Sequence, residues 1–126
     1  MEIRIKRVYA PAEPGDGFRV LVDRLWPRGL SKSDAHLDRW DREVAPSAQL
    51  RRAWHAEPEG HSPEGFRAFA RDYRRELATD EGSAALEELI ALAREHSPLT
   101  LLFGAKDEEI NHAVVLREAL LDQLSG

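Results

Sequence analysis

The fold is decided by Phe18-Arg19-Val20-Leu21-Val22 and by Leu99-Thr100-Leu101-Leu102-Phe103. Each stretch is short, mostly apolar and preceded by turn-forming residues, which is typical of a strand that is buried on both faces. A long, largely helical segment separates the two stretches. Because buried strands joined through helices are expected to lie parallel in one sheet, the pair predicts an α/β fold.

A third strand is predicted before them, at residues 2–9. Ile3 and Ile5 alternate there with Arg4 and Lys6, which is the period of a half-exposed strand. Residues 10–17 contain two prolines and two glycines and predict a turn. The sheet is thus expected to have three strands, and the sequence leaves room for a short fourth.

Helices are predicted between the strands and after the last one. Ser31 and Asp34 have the spacing of a capping box, Ser47 is placed to cap a short helix, and Ser62-Pro63 is a strong helix start. Gly82-Ser83 is interpreted as a break between two helices. Apolar residues at helical spacing mark the five helices: Leu37, Trp40 and Val44; Leu50 and Trp54; Phe66, Phe69, Ala70, Tyr73 and Leu77; Leu86, Leu89, Ile90 and Ala93; Ala113, Leu116, Leu120, Leu121 and Leu124.

The 126 residues show no linker and no internal repeat, so residues 1–126 are expected to form one domain. We predict a single small α/β domain, in which a mostly parallel sheet of three or four strands packs with four or five helices. The aromatic residues Trp40, Trp54, Phe66, Phe69 and Tyr73 are expected to be packing residues of that domain, because they fall at helical spacing.

Composition excludes several classes of function. The chain has no cysteine, so it offers no disulfide, thiolate nucleophile or zinc–thiolate site. No apolar run is long enough to cross a bilayer, and no signal sequence follows Met1, so a cytoplasmic protein without membrane contact is expected. The net charge of -5 argues against bulk attraction to nucleic acid.

The charge is unevenly distributed. Residues 1–32 carry seven basic side chains and four acidic ones, so the rest of the chain is strongly acidic. The basic segment is either an anion-binding surface or an edge strand kept soluble by its charges.

Polar residues follow both buried strands, at the edge of the sheet where α/β proteins bind ligands. After the first strand come Asp23, Arg24 and Arg28, with Trp26-Pro27-Arg28-Gly29 predicted to form a type I turn that presents Arg28. The arginine fork suits a carboxylate or a phosphate. The alternative is an Asp–Arg ion pair that only holds the loop together.

The second strand is followed by a predicted helix start. Lys106 and backbone N–H groups could hold an anion there, and Asp107 or Asn111 could cap the helix. His112 could transfer protons near neutral pH, although a histidine bonded to the backbone is the alternative. The other histidines, including His55 and His61, show no metal-ligand spacing.

Two hypotheses therefore stand beside each other. In the first, the chain is an enzyme or a former enzyme for an anionic small molecule or nucleotide, and the sequence names no cofactor and no metal. In the second, it is a non-catalytic module that contacts nucleic acid or a protein. In the first hypothesis Asp23 and His112 are catalytic and five residues bind ligand: Arg24, Arg28, Lys106, Asp107 and Asn111. The oligomeric state stays open.

The chain resembles the YeaO-like branch of domain-of-unknown-function family 488. The resemblance covers nearly the whole chain. It rests on these motifs: residues 22–29; Ala45-Pro46-Ser47; Leu50-Arg51 with Trp54; residues 69–73 with Glu76-Leu77; Thr100-Leu101-Leu102-Phe103; residues 105–107; and residues 111–113. It implies a small α/β cytosolic bacterial protein and no assigned activity.

Other branches of that family carry an Asp-x-Arg element at the first position and a Cys-His-Arg element at the second. Here the first reads Asp23-Arg24 without a spacer, and the second reads Asn111-His112-Ala113. Thiol chemistry of those branches therefore does not carry over to this chain.

Overall fold

A computed structural model describes residues 1–125. These residues contain one four-stranded sheet in which every neighbouring pair is parallel. The strands are β1 (Ile3–Arg7), β2 (Phe18–Leu21), β3 (Arg39–Trp40) and β4 (Leu99–Phe103), and their order in the sheet is β1-β4-β2-β3. The predicted α/β class is confirmed, and the short fourth strand is β3.

Five α-helices accompany the sheet within residues 1–125. They are α1 (Lys32–Ala35), α2 (Ala48–Ala56), α3 (Pro63–Leu77), α4 (Asp80–Glu95) and α5 (His112–Ser125), and a 3₁₀ turn spans Pro14–Asp16. Ser31, Ser47 and Ser62 accept hydrogen bonds from backbone N–H groups of α1, α2 and α3 in turn, as predicted from their spacing.

The main core lies on the face of the sheet that the long helices cover. Val20, Leu101 and Phe103 of the sheet pack there against buried residues of α3, α4 and α5. Phe69 and Tyr73 are buried, as predicted, while Trp54 and Phe66 are half-buried against the same core. This face supplies most of the apolar burial and hence most of the stabilisation.

The opposite face is covered by loops and not by long helices. A small apolar cluster of Val8, Leu21 and Leu102 packs there against four partly buried residues, Trp26, Leu30, Leu37 and Trp40. Beside it the Asp16 carboxylate binds Lys6 and Arg19, so these two basic residues are internal ion-pair partners. The basic surface expected over residues 1–32 is therefore reduced: part of its charge is neutralised inside the fold.

The helix predicted from Leu37, Trp40 and Val44 is wrong. The α1 helix ends after one turn because His36 adopts a left-handed conformation with φ 50°. The chain then pairs with β2, since Asp38 donates its N–H to the Arg19 carbonyl and Asp41 donates to Leu21. Trp40 accordingly lies in β3, half-buried against the smaller cluster.

The predicted break at Gly82-Ser83 is misplaced by a few residues. The chain leaves α3 at Ala78, and Thr79 caps α4 by accepting a hydrogen bond from the Gly82 N–H. Gly82 lies in the first turn of α4, where a Cβ atom would come within 2.0 Å of the Glu76 carbonyl oxygen. The glycine therefore allows the close approach of two helix ends and does not separate the helices.

The strand order creates a switch point between β2 and β4. The segment after β2 crosses to the loop-covered face, where Trp26 and Leu30 pack. The segment after β4 leads into α5 on the helix-covered face. Ligands of open parallel sheets bind where neighbouring connections diverge in this way. None of the helices in residues 1–125 is both long enough and apolar enough to cross a membrane.

Candidate functional site

A cleft of about 520 Å³ opens at this switch point, beyond the carboxyl ends of β2 and β4. The structure brings all seven residues predicted for a site to its walls: Asp23, Arg24, Arg28, Lys106, Asp107, Asn111 and His112. The size and concavity are those of a small-molecule site. The seven side chains differ, however, in whether they already make hydrogen bonds to other groups of the protein.

Asp23 is bound to the opposite loop. Its Oδ2 accepts a hydrogen bond from the Gly104 N–H at 2.9 Å. A Cβ at position 104 would lie only 2.9 Å from the same oxygen, so a larger residue there would require the Asp23 carboxylate to shift. Asp23 thus joins the segments that follow β2 and β4.

His112 is turned toward the same junction. Its Nε2 lies 2.9 Å from the Val22 carbonyl oxygen and 3.1 Å from Oδ1 of Asp23. Because a carbonyl oxygen only accepts hydrogen bonds, Nε2 carries the hydrogen and donates it to Val22. Oδ1 of Asp23 is buried without a hydrogen bond from any described residue, although it stands close to that nitrogen. The imidazole is therefore held by the strand end, which is the alternative left open for His112.

Arg24 does not pair with Asp23. Its Nε donates to the Pro46 carbonyl at 2.9 Å and one terminal nitrogen donates to Ala45 at 3.1 Å. The predicted alternative of an Asp–Arg pair within the loop is not what the structure shows: the arginine attaches the loop to the segment before α2. This leaves part of the guanidinium facing the cleft.

Arg28 is presented by a turn one residue further along than predicted. The Leu30 N–H bonds to the Pro27 carbonyl, and Gly29 has φ 76°, so the turn is Pro27–Leu30 with glycine at its third position. Positive φ at that position is the signature of a type II turn, not of type I. Tyr9 fixes the turn by donating its hydroxyl to the Arg28 carbonyl at 2.7 Å. The side chain of Arg28 itself is exposed and makes no hydrogen bond within residues 1–125.

Asp107 and Asn111 accept backbone hydrogen bonds in the turn before α5 and at the helix start itself. The Asp107 carboxylate accepts hydrogen bonds from the N–H groups of Ile110 and Glu109, which hold the pKa of Asp107 below its usual range. Asn111 is buried and caps α5, because its Oδ1 accepts from the Val114 N–H at 3.1 Å. These N–H groups are therefore occupied, and Lys106 stands exposed beside them.

The far wall of the cleft comes from α2 and the loop behind it, which were not predicted to take part. Its side chains are Arg51, Trp54, His55, His61 and, beneath them, Phe69. Trp54 stacks on Phe69 with ring centroids 3.9 Å apart and on His61 at 4.7 Å. The spacing of Arg51 and His55, one helical turn apart, is the sequence signal that places both on one side of α2.

The cleft carries a surplus of positive charge. Four cationic side chains line it, namely Arg24, Arg28, Arg51 and Lys106, against two carboxylates, those of Asp23 and Asp107. Within residues 1–125 none of these four cations forms an ion pair, whereas both carboxylates already accept backbone hydrogen bonds. This local surplus contrasts with the chain's net charge of -5.

Two histidines complete the far wall, with ring centroids 6.5 Å apart. Burial lowers the pKa of His55, and the nearby charges of Arg51 and His61 lower it further. In residues 1–125 no group of three histidine or acidic side chains has the arrangement that a metal ion needs.

The comparisons with known proteins identify the family of the chain. Residues 2–126 match the family DUF488-N3i, described as "Inactive DUF488-N3 subclade". The chain is 47% identical over 120 residues to "Uncharacterized protein YeaO" of Escherichia coli K12, covering 95% of this chain and 97% of that one. It is 42% identical over 118 residues to "Uncharacterized protein Rv3073c" of Mycobacterium tuberculosis H37Rv, covering 94% and 92%. No solved structure matches it significantly.

The chain is thus a small α/β protein with a cleft at the switch point of a parallel sheet. It belongs to the DUF488 family, in the N3i subclade. The resemblance found in the sequence is confirmed, and the named relatives are bacterial proteins without an assigned activity.

Proposed function

We propose that this protein binds a small anionic molecule, of the phosphate-ester or carboxylate class, in the cleft between β2 and β4. The observation that carries the proposal is the set of cations there, since Arg28, Arg51 and Lys106 line a concave site without ion-pair partners in residues 1–125. The three side chains are exposed and make no ion pair in residues 1–125, so their charges are available to an anion, and the planar arginine forks suit a phosphate or a carboxylate. An anion that enters the cleft supplies the opposite charge.

The ligand also has an apolar part. Trp54, Phe69, Pro27, Leu25 and Ile110 contribute apolar surface to the same cleft. Small-molecule sites combine apolar walls with a few polar groups that fix orientation. A nucleotide, or another phosphate attached to a ring, has this combination of chemistry.

We call the side of the cleft formed by Asp23 and His112 its inner wall. This wall supports binding without turnover. Asp23 and His112, which the sequence suggested as catalytic, are engaged with Gly104 and Val22. Because Nε2 of His112 donates to a backbone carbonyl, that nitrogen cannot also accept a proton from a substrate. The description of the family as inactive also supports a former enzyme that retains its pocket. We propose that the protein is located in the cytoplasm.

Calorimetric titration with phenyl phosphate tests the proposal. Wild type is expected to bind it, and Arg28→Ala or Arg51→Ala is expected to weaken binding by roughly 1.5–3 kcal/mol, the range for a hydrogen bond to a charged group. Arg52→Ala is the matched control, because Arg52 is exposed on the same helix but does not line the cleft. Failure of folded wild type to bind at low salt would refute the proposal.

A second assay separates binding from catalysis. Phenyl phosphate incubated with the protein should be recovered intact. Release of phenol above the buffer rate, lost in His112→Gln, would instead make the protein an enzyme.

The calorimetric titration with phenyl phosphate also tests a second role, docking of a protein partner at the mouth of the cleft, which the exposed Leu25 and Tyr9 favour. A surface that serves only a protein partner leaves the isolated chain without affinity for a small anion.

A further inference from the structure

The far wall of the cleft is a rigid platform. Ser47, the cap of α2, donates its N–H and its hydroxyl to the Glu76 carboxylate at 2.8 and 2.6 Å, which fixes α2 to α3. Trp54 donates its indole N–H to the Gly60 carbonyl at 2.6 Å, which fixes the following loop. The backbone of α2 and the Trp54 ring are therefore held in place before any ligand arrives, and preorganisation of this kind favours binding.

Three nitrogen-bearing side chains stand on that platform and face the cleft. His61 stacks on Trp54, His55 meets Trp54 edge-on at 5.9 Å, and Arg51 lies one helical turn before His55. In residues 1–125 neither histidine ring makes a hydrogen bond. The wall thus offers a permanent cation and two imidazoles that can each become cationic.

We propose that Arg51, His55 and His61 form a proton-coupled subsite that selects a dianionic group, a phosphomonoester, and takes up a proton when it binds. The inference rests on the proposed function and deepens it. A dianion facing the two rings favours their charged form, while Arg51 supplies the charge that is present at every pH.

The other charges around the subsite favour this coupling. The cleft is also lined by the cations of Arg24, Arg28 and Lys106, by the carboxylates of Asp23 and Asp107, and by the imidazole of His112. In the free protein, the pKa of His55 is lowered by burial and by the charges of Arg51 and His61. The His55 ring is therefore neutral near pH 7 and can gain a proton. Arg24, Arg28 and Lys106 oppose protonation of the two rings in the free protein, whereas Asp23 and Asp107 favour it, and a bound dianion adds to the favourable side.

Calorimetry with phenyl phosphate in two buffers of different ionisation enthalpy measures the protons taken up. At about pH 7 wild type should take up about half a proton or more per ligand bound. His55→Gln and His61→Gln should each reduce the uptake, and the double variant should remove the protein's share and weaken binding about tenfold. His36→Asn is the control, since His36 is exposed outside the cleft and asparagine tolerates its positive φ.

The outcomes separate this inference from the proposed function. Binding with equal proton uptake in wild type and in the double histidine variant overturns the proton-coupled subsite and leaves the anion site standing. If Arg28→Ala weakens binding but wild type takes up no proton, the proton-coupled subsite is likewise overturned and the anion site still stands. Absence of binding by folded wild type overturns both.

Discussion

The inner wall of the cleft, with Asp23 and His112, and its rim, where Arg28, Arg51 of the far wall and Lys106 lie, both carry polar or charged side chains, but in opposite surroundings. Asp23 and His112 on the inner wall are committed to Gly104 and Val22, at 2.9 Å in both cases. The side chains of Arg28, Arg51 and Lys106 on the rim are exposed and make no hydrogen bond or ion pair within residues 1–125. The inner wall joins strand ends, whereas the rim is available to a ligand.

This difference teaches that residue type alone does not identify function in an α/β cleft. An aspartate and a histidine after neighbouring strands suggest acid–base chemistry, yet here Oδ2 of Asp23 and Nε2 of His112 bond to backbone groups beside the ends of those strands. Buried backbone N–H groups need partners, and a side chain at a strand end can supply one. The function is to be sought in the groups that the fold leaves unbonded.

Phe69, which lies beneath the far wall of the cleft, gives the largest expected effect on stability. Phe69 is 3% exposed and stacks on Trp54 and on Tyr73. Phe69→Ala should lower the free energy of unfolding by roughly 3–5 kcal/mol, because it removes a buried ring and leaves a cavity. Urea denaturation measures the loss. An unchanged midpoint would show that the platform under the far wall is not part of the core.

The inner wall is tested by Asp23→Ala. The change removes the acceptor of the Gly104 N–H, and an unsatisfied buried donor costs about 1–3 kcal/mol. The loss should appear in the free energy of unfolding, with Asp34→Ala as control, because the exposed Asp34 carboxylate makes no hydrogen bond within residues 1–125. Full stability of Asp23→Ala would contradict a structural role for this wall.

The buried carboxylate of Asp41, which lies outside the cleft, gives a prediction about the pH dependence of stability. Asp41 follows β3, is 4% exposed, and its Oδ2 has no hydrogen bond within residues 1–125. Burial raises the pKa of Asp41, so the folded protein holds this proton more tightly than the unfolded chain does. Stability from this group is then full below the unfolded pKa and is lost as pH rises through the folded pKa.

Asp41→Asn should therefore stabilise the protein at neutral pH and lose that advantage in acid. Thermal unfolding of both proteins at about pH 7 and at about pH 4, near the ordinary pKa of aspartate, measures the difference. A variant that is less stable at neutral pH, with the deficit shrinking in acid, would mean that the charged carboxylate has a favourable partner.

The rim gives the smallest effect on stability. Arg28→Ala removes an exposed side chain without a hydrogen bond in residues 1–125, so unfolding free energy should change by no more than about 0.5 kcal/mol. Chemical denaturation in the absence of any anion is the measurement. A loss well above that range would make Arg28 a structural residue, and the division between rim and inner wall would fail.

The sequence predicts the strands well because their signals are local. The runs ending at Val22 and Phe103 are apolar whatever their neighbours do, and the placement of polar residues after them follows from parallel pairing. The error at Trp40 has a tertiary cause: its spacing from Leu37 and Val44 imitates a helix, but the backbone bonds to β2. Periodicity over one turn cannot outweigh a sheet partner.

The far wall was not predictable because its position depends on a distant contact. Ser47 binds Glu76, which is 29 residues away in the chain, and this contact sets where α2 stands over the cleft. Arg51 and His55 are ordinary exposed residues of a short helix until that placement is known. The histidines gave no metal spacing, and a site for an anion has no comparable spacing rule.

Amide chemical-shift mapping by NMR tests the central claim most directly. Addition of phenyl phosphate to wild type should shift resonances in three segments, 24–28, 51–61 and 104–112, which together line the cleft. Arg51→Ala should abolish or weaken those shifts in all three segments at the same ligand concentration, and Arg52→Ala should leave them intact. Shifts confined to β1 and its ion pairs, or none at saturating ligand, would contradict the account.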